Sequence, residues 1–397
     1  MHVSRWQMVK TLFRIGATSY GGPAIVAQIR EVTVLEKKWL SEDEFRESLA
    51  FCQMMPGPVA VQTSAHIGWR LYGGMGVFLG LTSYSLPCFL LMLGLSAGYF
   101  RYEQVSLVAT AFQGLGAAVT AIVVQSILSM TQSALQDWRG LLIAAAAAVG
   151  FFTGQEVLLV LLAAALAGVL LGMLTTPAIS AAADPPPATP ATPAGSRYHR
   201  ALLLTAAVAV VYAGAIVGSG WISPQLPALG VTMTKINLVA FGGGYTAVAL
   251  MFQEAVQSAA HHWLTAKEFN DGLALGQITP GPVIMTATFI GYRVGGWVGA
   301  CFATVCIFLP SSLLMTLAAP HFARIRHLRV VQFAVRGLLA AFIAMLLHVL
   351  ADVAKAAFRG PTDLVLAAAA IVALRLKVNV IWVVVGSVLV SLALAKL

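Results

Sequence analysis

Charged side chains are scarce in this sequence. Asp, Glu, Lys and Arg make up 10% of its 397 residues, where a soluble domain carries about 25%. The scarcity is concentrated: no charge falls in 77–100, 104–136, 201–234, 272–292 or 294–320. Apolar runs of about 20 residues cross a bilayer core as helix, which excludes a soluble all-α protein and predicts a polytopic membrane protein. The N-terminus lacks a short hydrophobic stretch followed by a cleavage site, so no leader is expected to be removed. Cysteine is rare too. Cys52, Cys88, Cys301 and Cys306 lie in apolar segments without metal-ligand spacing, which predicts inert buried thiols and no disulfide. His261-His262 has no third ligand, so no metal and no cofactor is expected. Intramembrane carboxylates are too sparse for an enzyme acting on lipid head groups. The net charge of +9 does not mark nucleic-acid binding. Much of it falls in short loops, at Arg197 and Arg200 and at Arg324, Arg326 and Arg329, as in cytoplasmic loops of membrane proteins.

What the chain does have is a repeat. Displaced by 221 to 224 residues, it falls on itself. Tyr20-Gly21-Gly22-Pro23 meets Phe241-Gly242-Gly243-Gly244, and Glu31 meets Glu254. Trp39-Leu40 and Glu44-Phe45 meet Trp263-Leu264 and Glu268-Phe269. Gln53 and Pro56-Gly57-Pro58 meet Gln277 and Pro280-Gly281-Pro282, and Arg70 and Pro87 meet Arg293 and Pro310. Most of these positions are not interchangeable hydrophobics, so chance similarity of apolar segments does not produce them. Between the copies lies a stretch rich in Pro, Ala and Thr, an extended linker without chemistry.

The expected organisation is a first repeat over 1–174, a linker over 175–200, a linking transmembrane helix over 201–220 and a second repeat over 221–397. Segments are expected near 11–35, 45–70, 76–100, 105–130, 140–154 and 157–174. Arg5, Lys10 and Arg14 put the N-terminus in the cytoplasm, and the linking helix, which has no counterpart in the first half, reverses the second. The predicted fold class is an all-α polytopic membrane protein of two inverted-topology repeats, each of about six helical segments with broken helices, plus the linking helix. That sums to about 13 crossings, the short paired segments being open to a hairpin reading.

Pro56 and Pro58 each remove an amide donor and obstruct helix continuation, and Gly57 between them admits unusual dihedrals. Pro280, Gly281 and Pro282 do the same. Gly21, Gly22 and Pro23, with Gly242, Gly243 and Gly244, are further break points. In a bilayer such breaks are tolerated only inside protein or beside a water-lined cavity. Matching breaks in two inverted halves point to a midplane substrate site, and helix N-termini facing it suit an anion. Gln53 and Gln277 precede the Pro-Gly-Pro motifs by one helical turn and either face the break or cap a frayed end. Ser19, Thr63, Asn237, Thr279 and Thr286 are neutral donors near breaks that also have the option of bonding their own helices. Arg14 and Lys235 are equivalent cations, either contacting an anion or snorkelling. Arg70 and Arg293 either anchor segment ends at the interface or recruit an anion. Glu31 and Glu254 either carry a coupling proton or are solvated. Ser41 with Glu44, and Thr265 with Glu268, spell capping boxes.

These motifs carry a resemblance. "FRIGATSYGGP", "WLSEDEF", "QMMPGPVAV" and "HIGWR", with "KINLVAFGGGYTAV", "WLTAKEF", "QITPGPV", "FIGYR" and "FLPSS", resemble the chromate ion transporter family in its long, two-domain form. The likeness covers roughly 5–174 and 201–395; Tyr20 departs from the Phe usual at that position. It implies a multi-pass protein of the cell inner membrane that exports chromate and gives chromate resistance, with coupling to membrane potential or a proton gradient. A permease for sulfate or another tetrahedral oxyanion is the alternative. The partners expected are the oxyanion and the lipid bilayer, with no nucleic acid; a homodimer stays open.

Overall fold

The computed structural model describes residues 3–20, 22–102, 106–135, 137–175, 195–321, 328–358, 360–376 and 378–394. Among them helix is the only regular structure. The first half comprises α1 (Arg5–Thr18), α2 (Gly22–Arg30), α3 (Glu42–Met54), α4 (Val59–Tyr72), α5 (Gly74–Tyr102), α6 (Ser106–Ala134), α7 (Trp138–Phe152) and α8 (Val157–Thr175). The linking helix is α9 (Gly195–Gly218). The second half comprises α10 (Leu226–Val239), α11 (Gly244–Phe252), α12 (Ala266–Ile278), α13 (Thr286–Ala318), α14 (Arg329–Ala357), α15 (Pro361–Arg375) and α16 (Val380–Leu394). Most of the linker and the basic residues Arg324 and Arg326 lie outside the described residues.

Six helical stretches are long and apolar enough to cross a bilayer: 74–102, 114–132, 157–175, 202–221, 283–321 and 329–357. The expected segments near 11–35 and 45–70 come instead as broken pairs, α1 with α2 and α3 with α4. Each of these helices is at most 14 residues, about 21 Å of rise against a core of about 30 Å. The breaks have local causes. Ser41 accepts from the Glu44 amide while the Glu44 carboxylate accepts from the Ser41 amide, and Thr265 and Glu268 repeat the exchange. Both capping boxes read from the sequence are therefore formed. α3 then stops at Met55, extended at φ −90°, ψ 150°, because the residue before a proline avoids the helical region. Between α4 and α5, and again inside α13, the chain turns at a glycine with φ near +60°: Gly73 at +64° and Gly296 at +57°. The two arms are then pressed together. A methyl at Gly68 would lie 1.9 Å from the Gly76 carbonyl oxygen, and one at Gly291 would lie 2.3 Å from that of Gly299.

The halves are interleaved. α5 packs on α4 and α1 of its own half and on α13 of the other; α14 packs on α6, α7 and α8; α15 and α16 pack on α6. One continuous core runs through both halves, from Met8 and Tyr84 to Phe289 and Phe342. By contrast Val210, Val211, Val217 and Trp221 on and after α9 are largely exposed, as suits a helix facing lipid.

Candidate functional site

Each Pro-Gly-Pro break is tied to the end of the first helix of the opposite half. The Gly57 amide donates to the Ala240 carbonyl after α10 at 2.8 Å, and the Gly281 amide donates to the Ser19 carbonyl after α1, also at 2.8 Å. Ser19 and Ala240 are equivalent in the repeat, so the contacts are reciprocal, as an approximate two-fold relation between the halves requires. Both glycines sit where L side chains rarely go, at φ +100° and +104°. Their amides are thus committed to holding the halves together.

The surroundings of the two glycines differ. A methyl at Gly57 would lie 3.0 Å from Ser311 Oγ, 3.1 Å from Gln62 Nε2 and 3.3 Å from Asn237 Nδ2. At Gly281 it would lie 2.1 Å from Cys88 Sγ and 3.0 Å from Cys88 Cβ, with the Gly16 carbonyl at 3.9 Å. Asn237 is fully buried. Its Nδ2 donates to the Ile307 carbonyl and its Oδ1 accepts from the Ser311 amide, both at 2.7 Å. Ile307 and Ser311 are an i, i+4 pair around Pro310, so the carboxamide splices itself into an opened turn of α13. Gln62, 1% exposed, donates from Nε2 to the Pro56 carbonyl at 3.0 Å. Its Oε1 is buried without a hydrogen-bond partner among the described residues.

The other candidates divide. Pro56, Pro58, Pro280 and Pro282 are buried at the breaks, Pro58 and Pro282 immediately before helical turns. Gly21 lies outside the described residues, while Gly22 and Pro23 open α2. Gly242 and Gly243 have φ of +85° and +125°, and Gly244 starts α11. Gln277 is buried and donates to Tyr245 Oη at 3.4 Å, whereas Gln53 is exposed. Lys235 pairs with Glu254 at 2.8 Å, but Arg14 is exposed and makes no ion pair among the described residues. Arg70 is held by Glu47 at 2.6 Å and Glu44 at 3.5 Å, and Arg293 by Glu268 at 3.3 Å. With carboxylates that close, both arginines are largely neutralised. Thr63 and Thr286 bond back to the carbonyls of Val59 and Val283. No group of three or more His, Cys, Asp or Glu able to hold a metal occurs among the described residues.

Sequence reasoning missed Gln62 and Ser311. The signal for Gln62 in the sequence was a carboxamide in a charge-free stretch directly after the Pro-Gly-Pro break. Ser311 lay in "FLPSS", directly after a proline whose missing amide exposes neighbouring backbone.

The side-chain atoms nearest Gly57, Ser311 Oγ, Gln62 Nε2 and Asn237 Nδ2, are neutral hydrogen-bonding groups packed close against the glycine. The family model described as "Chromate transporter" matches residues 6–169 and 227–392. A chromate transport protein of Cupriavidus metallidurans is 32% identical over 350 residues, 88% of this chain and 82% of that protein. One from Pseudomonas aeruginosa is 30% identical over 313 residues, 77% and 70% of the two chains. An uncharacterized transporter of Methanocaldococcus jannaschii is 28% identical over 342 residues, 85% and 82%. No solved structure matches. Two matched halves and relatives that span most of the chain make this multi-pass membrane protein a member of the chromate transporter family.

Proposed function

We propose that the protein is a secondary carrier of the cell inner membrane, N-terminus cytoplasmic, that exports chromate and so confers chromate resistance. The observation that carries this reading is the reciprocal pair of hydrogen bonds from Gly57 to Ala240 and from Gly281 to Ser19. Such reciprocity supports two oppositely oriented copies whose broken helices meet around one site, the architecture of alternating access. Because the glycine amides are engaged, the donors that replace the anion's water shell are side chains, with Asn237 and Gln277 beside the breaks. Lys235 is neutralised by Glu254, which leaves Arg14 as the cation that offsets the anion's charge. The carrier performs no covalent step.

Everted membrane vesicles containing the full chain test this. Chromate uptake that depends on an imposed pH or voltage gradient is the expected result. Vesicles that take up sulfate but not chromate would replace the reading with a sulfate permease. Gly57→Val is expected to abolish uptake while the protein still reaches the membrane, and Gly281→Val, whose side chain collides with Cys88 Sγ, to abolish it together with most of the folded protein. Full uptake by both would remove the breaks from the site.

A further inference from the structure

Away from the Pro-Gly-Pro breaks, the two halves are fastened again near the far end of α5. Asp271, in the second turn of α12, has a side chain 4% exposed. Its Oδ2 accepts from Lys267 Nζ on the same helix at 2.9 Å and from Tyr99 Oη on α5 of the opposite half at 2.8 Å. Rings accompany that bond. Tyr99 packs on Phe289 with centroids 5.2 Å apart, and Phe100 stacks almost parallel to Tyr292 at 5.8 Å. Phe289 and Tyr292 lie on the first arm of α13, so rings of one half close on rings of the other. A hydrogen bond to a carboxylate is roughly twice as strong as one between neutral groups, and aromatic pairs so placed add to it by burying apolar surface.

The repeat supplies a contrast. Asp271 falls on Glu47, as Trp263 falls on Trp39. Glu47 is bound within its own half, by Arg70 at 2.6 Å, and its side chain is 35% exposed. The arginine equivalent to Arg70, Arg293, is turned to Glu268, which leaves Asp271 for a partner across the seam. Of two equivalent carboxylates, one is partly open to solvent and the other is sealed between the halves.

The same ion pairs place the two sites. Arg70 joins the last turn of α4 to the start of α3, and Arg293 joins the first arm of α13 to the start of α12. Each Pro-Gly-Pro break is thus the tip of a helical hairpin whose arms begin and end together. The first hairpin opens next to Gly74, where the Tyr72 hydroxyl donates to the Val3 carbonyl. The second opens at Tyr99, close to the other end of α5, a helix of 29 residues and about 43 Å.

Resting on the reading of the protein as a carrier with a cytoplasmic N-terminus, we infer that Tyr99 and Asp271 form its outer gate, shut in this structure. The N-terminal end of α5 then faces the cytoplasm, beside the partly exposed Glu47, and its C-terminal end faces outward, where the seam is closed. For an anion to leave on the outer side, α5 has to part from α12 and from the first arm of α13. That motion breaks the Tyr99–Asp271 bond and unstacks Phe100 from Tyr292. Lys267 travels with Asp271 on α12, so the carboxylate keeps one partner when the gate opens. The bond and the rings hold the outward-open form as the minor population.

Apparent affinities on the two faces of the membrane test this. A site reached only from a minor form binds more weakly in proportion to the fraction of that form. Tyr99→Phe keeps the ring and deletes the bond, and Asp271→Asn keeps the shape and deletes the charge. Each is expected to raise the outward-open fraction and so to lower about tenfold the KM for chromate added to right-side-out vesicles, measured by counterflow against preloaded chromate. The KM for chromate added to everted vesicles, which present the cytoplasmic face, is expected to change by less than about twofold. Glu47→Gln, at the equivalent position, should not lower the outer-face KM. An unchanged or raised outer-face KM in membrane-inserted Tyr99→Phe, equal changes on both faces, or a fall on the cytoplasmic face alone would overturn the inference and leave the carrier intact. If Asp271→Asn does not reach the membrane, Tyr99→Phe decides alone. Wild-type vesicles inert towards chromate on both faces would overturn the carrier reading itself.

Discussion

Gly57 and Gly281 have the same backbone in different company. Their φ angles agree within a few degrees and both amides reach the opposite half at 2.8 Å. Around Gly57 stand a hydroxyl and two carboxamides; against Gly281 stands a thiol. The repeat thus constrains what only glycine and proline supply, the path of the chain, and leaves side chains free to diverge. The same split recurs one helix away. Gly16 and Asn237 are equivalent, yet Gly16 lets α1 press on α5, where a methyl would lie 2.1 Å from the Tyr84 carbonyl oxygen. Asn237 instead reaches into α13. A repeated backbone path therefore carries different side chains at its two copies.

The sharpest way to break this comparison is to add one methyl on each side. Alanine in either position bears about 1–3 kcal/mol of backbone strain. At residue 281 it also collides with Cys88 Sγ. Gly281→Ala is expected to lower the amount of folded protein in the membrane severely, and Cys88→Ala to recover part of it in the double variant. Gly57→Ala should insert better yet lose chromate uptake at least about tenfold, with no rescue by Cys88→Ala. Equal behaviour of the two alanines, read by immunoblot and vesicle uptake, would erase the distinction.

A smaller effect is expected from Asn237→Leu. It strands the Ile307 carbonyl and the Ser311 amide at about 1–3 kcal/mol each, seen as a lower thermal midpoint in detergent. An unchanged midpoint would mean that α13 closes its own turn. The smallest contrast is between Arg70→Gln and Arg293→Gln. Arg70 has a side chain 12% exposed between two carboxylates, whereas that of Arg293 is 51% exposed against one. Arg70→Gln should cost about 2 kcal/mol, and Arg293→Gln, screened by solvent, less than about 1. The reverse order would show that the ion pairs do not set end stability.

Features dictated by a residue's own backbone chemistry were legible in the sequence. Pro56-Gly57-Pro58, its copy, and the capping boxes at Ser41 and Thr265 each act within a few residues, and each appears where read. Partners chosen by tertiary contact were not legible. Lys235 and Glu254 both stood out, but nothing in a spacing of 19 residues says that they pair. Asn237 stood out as a donor near a break, yet its targets lie 70 and 74 residues onward. Gln62 resembled any polar residue free to bond its own helix. The number of crossings was equally obscured, because α7 and α15, at 15 residues each, are apolar but only about 22 Å long.

Asn237 acts as a borrowed peptide unit. Sliding α10 along α13 would pull that unit out and break both of its hydrogen bonds at once, so that the opened turn would have to close on itself or go unpaired. The two helices are therefore bound to travel as a single strut. Any shape change during turnover has to be taken up elsewhere, at seams such as the one between α1 and α5, where Gly16 lies against the Tyr84 carbonyl and a weak 3.4 Å contact joins the Cys88 thiol to the Gly16 carbonyl.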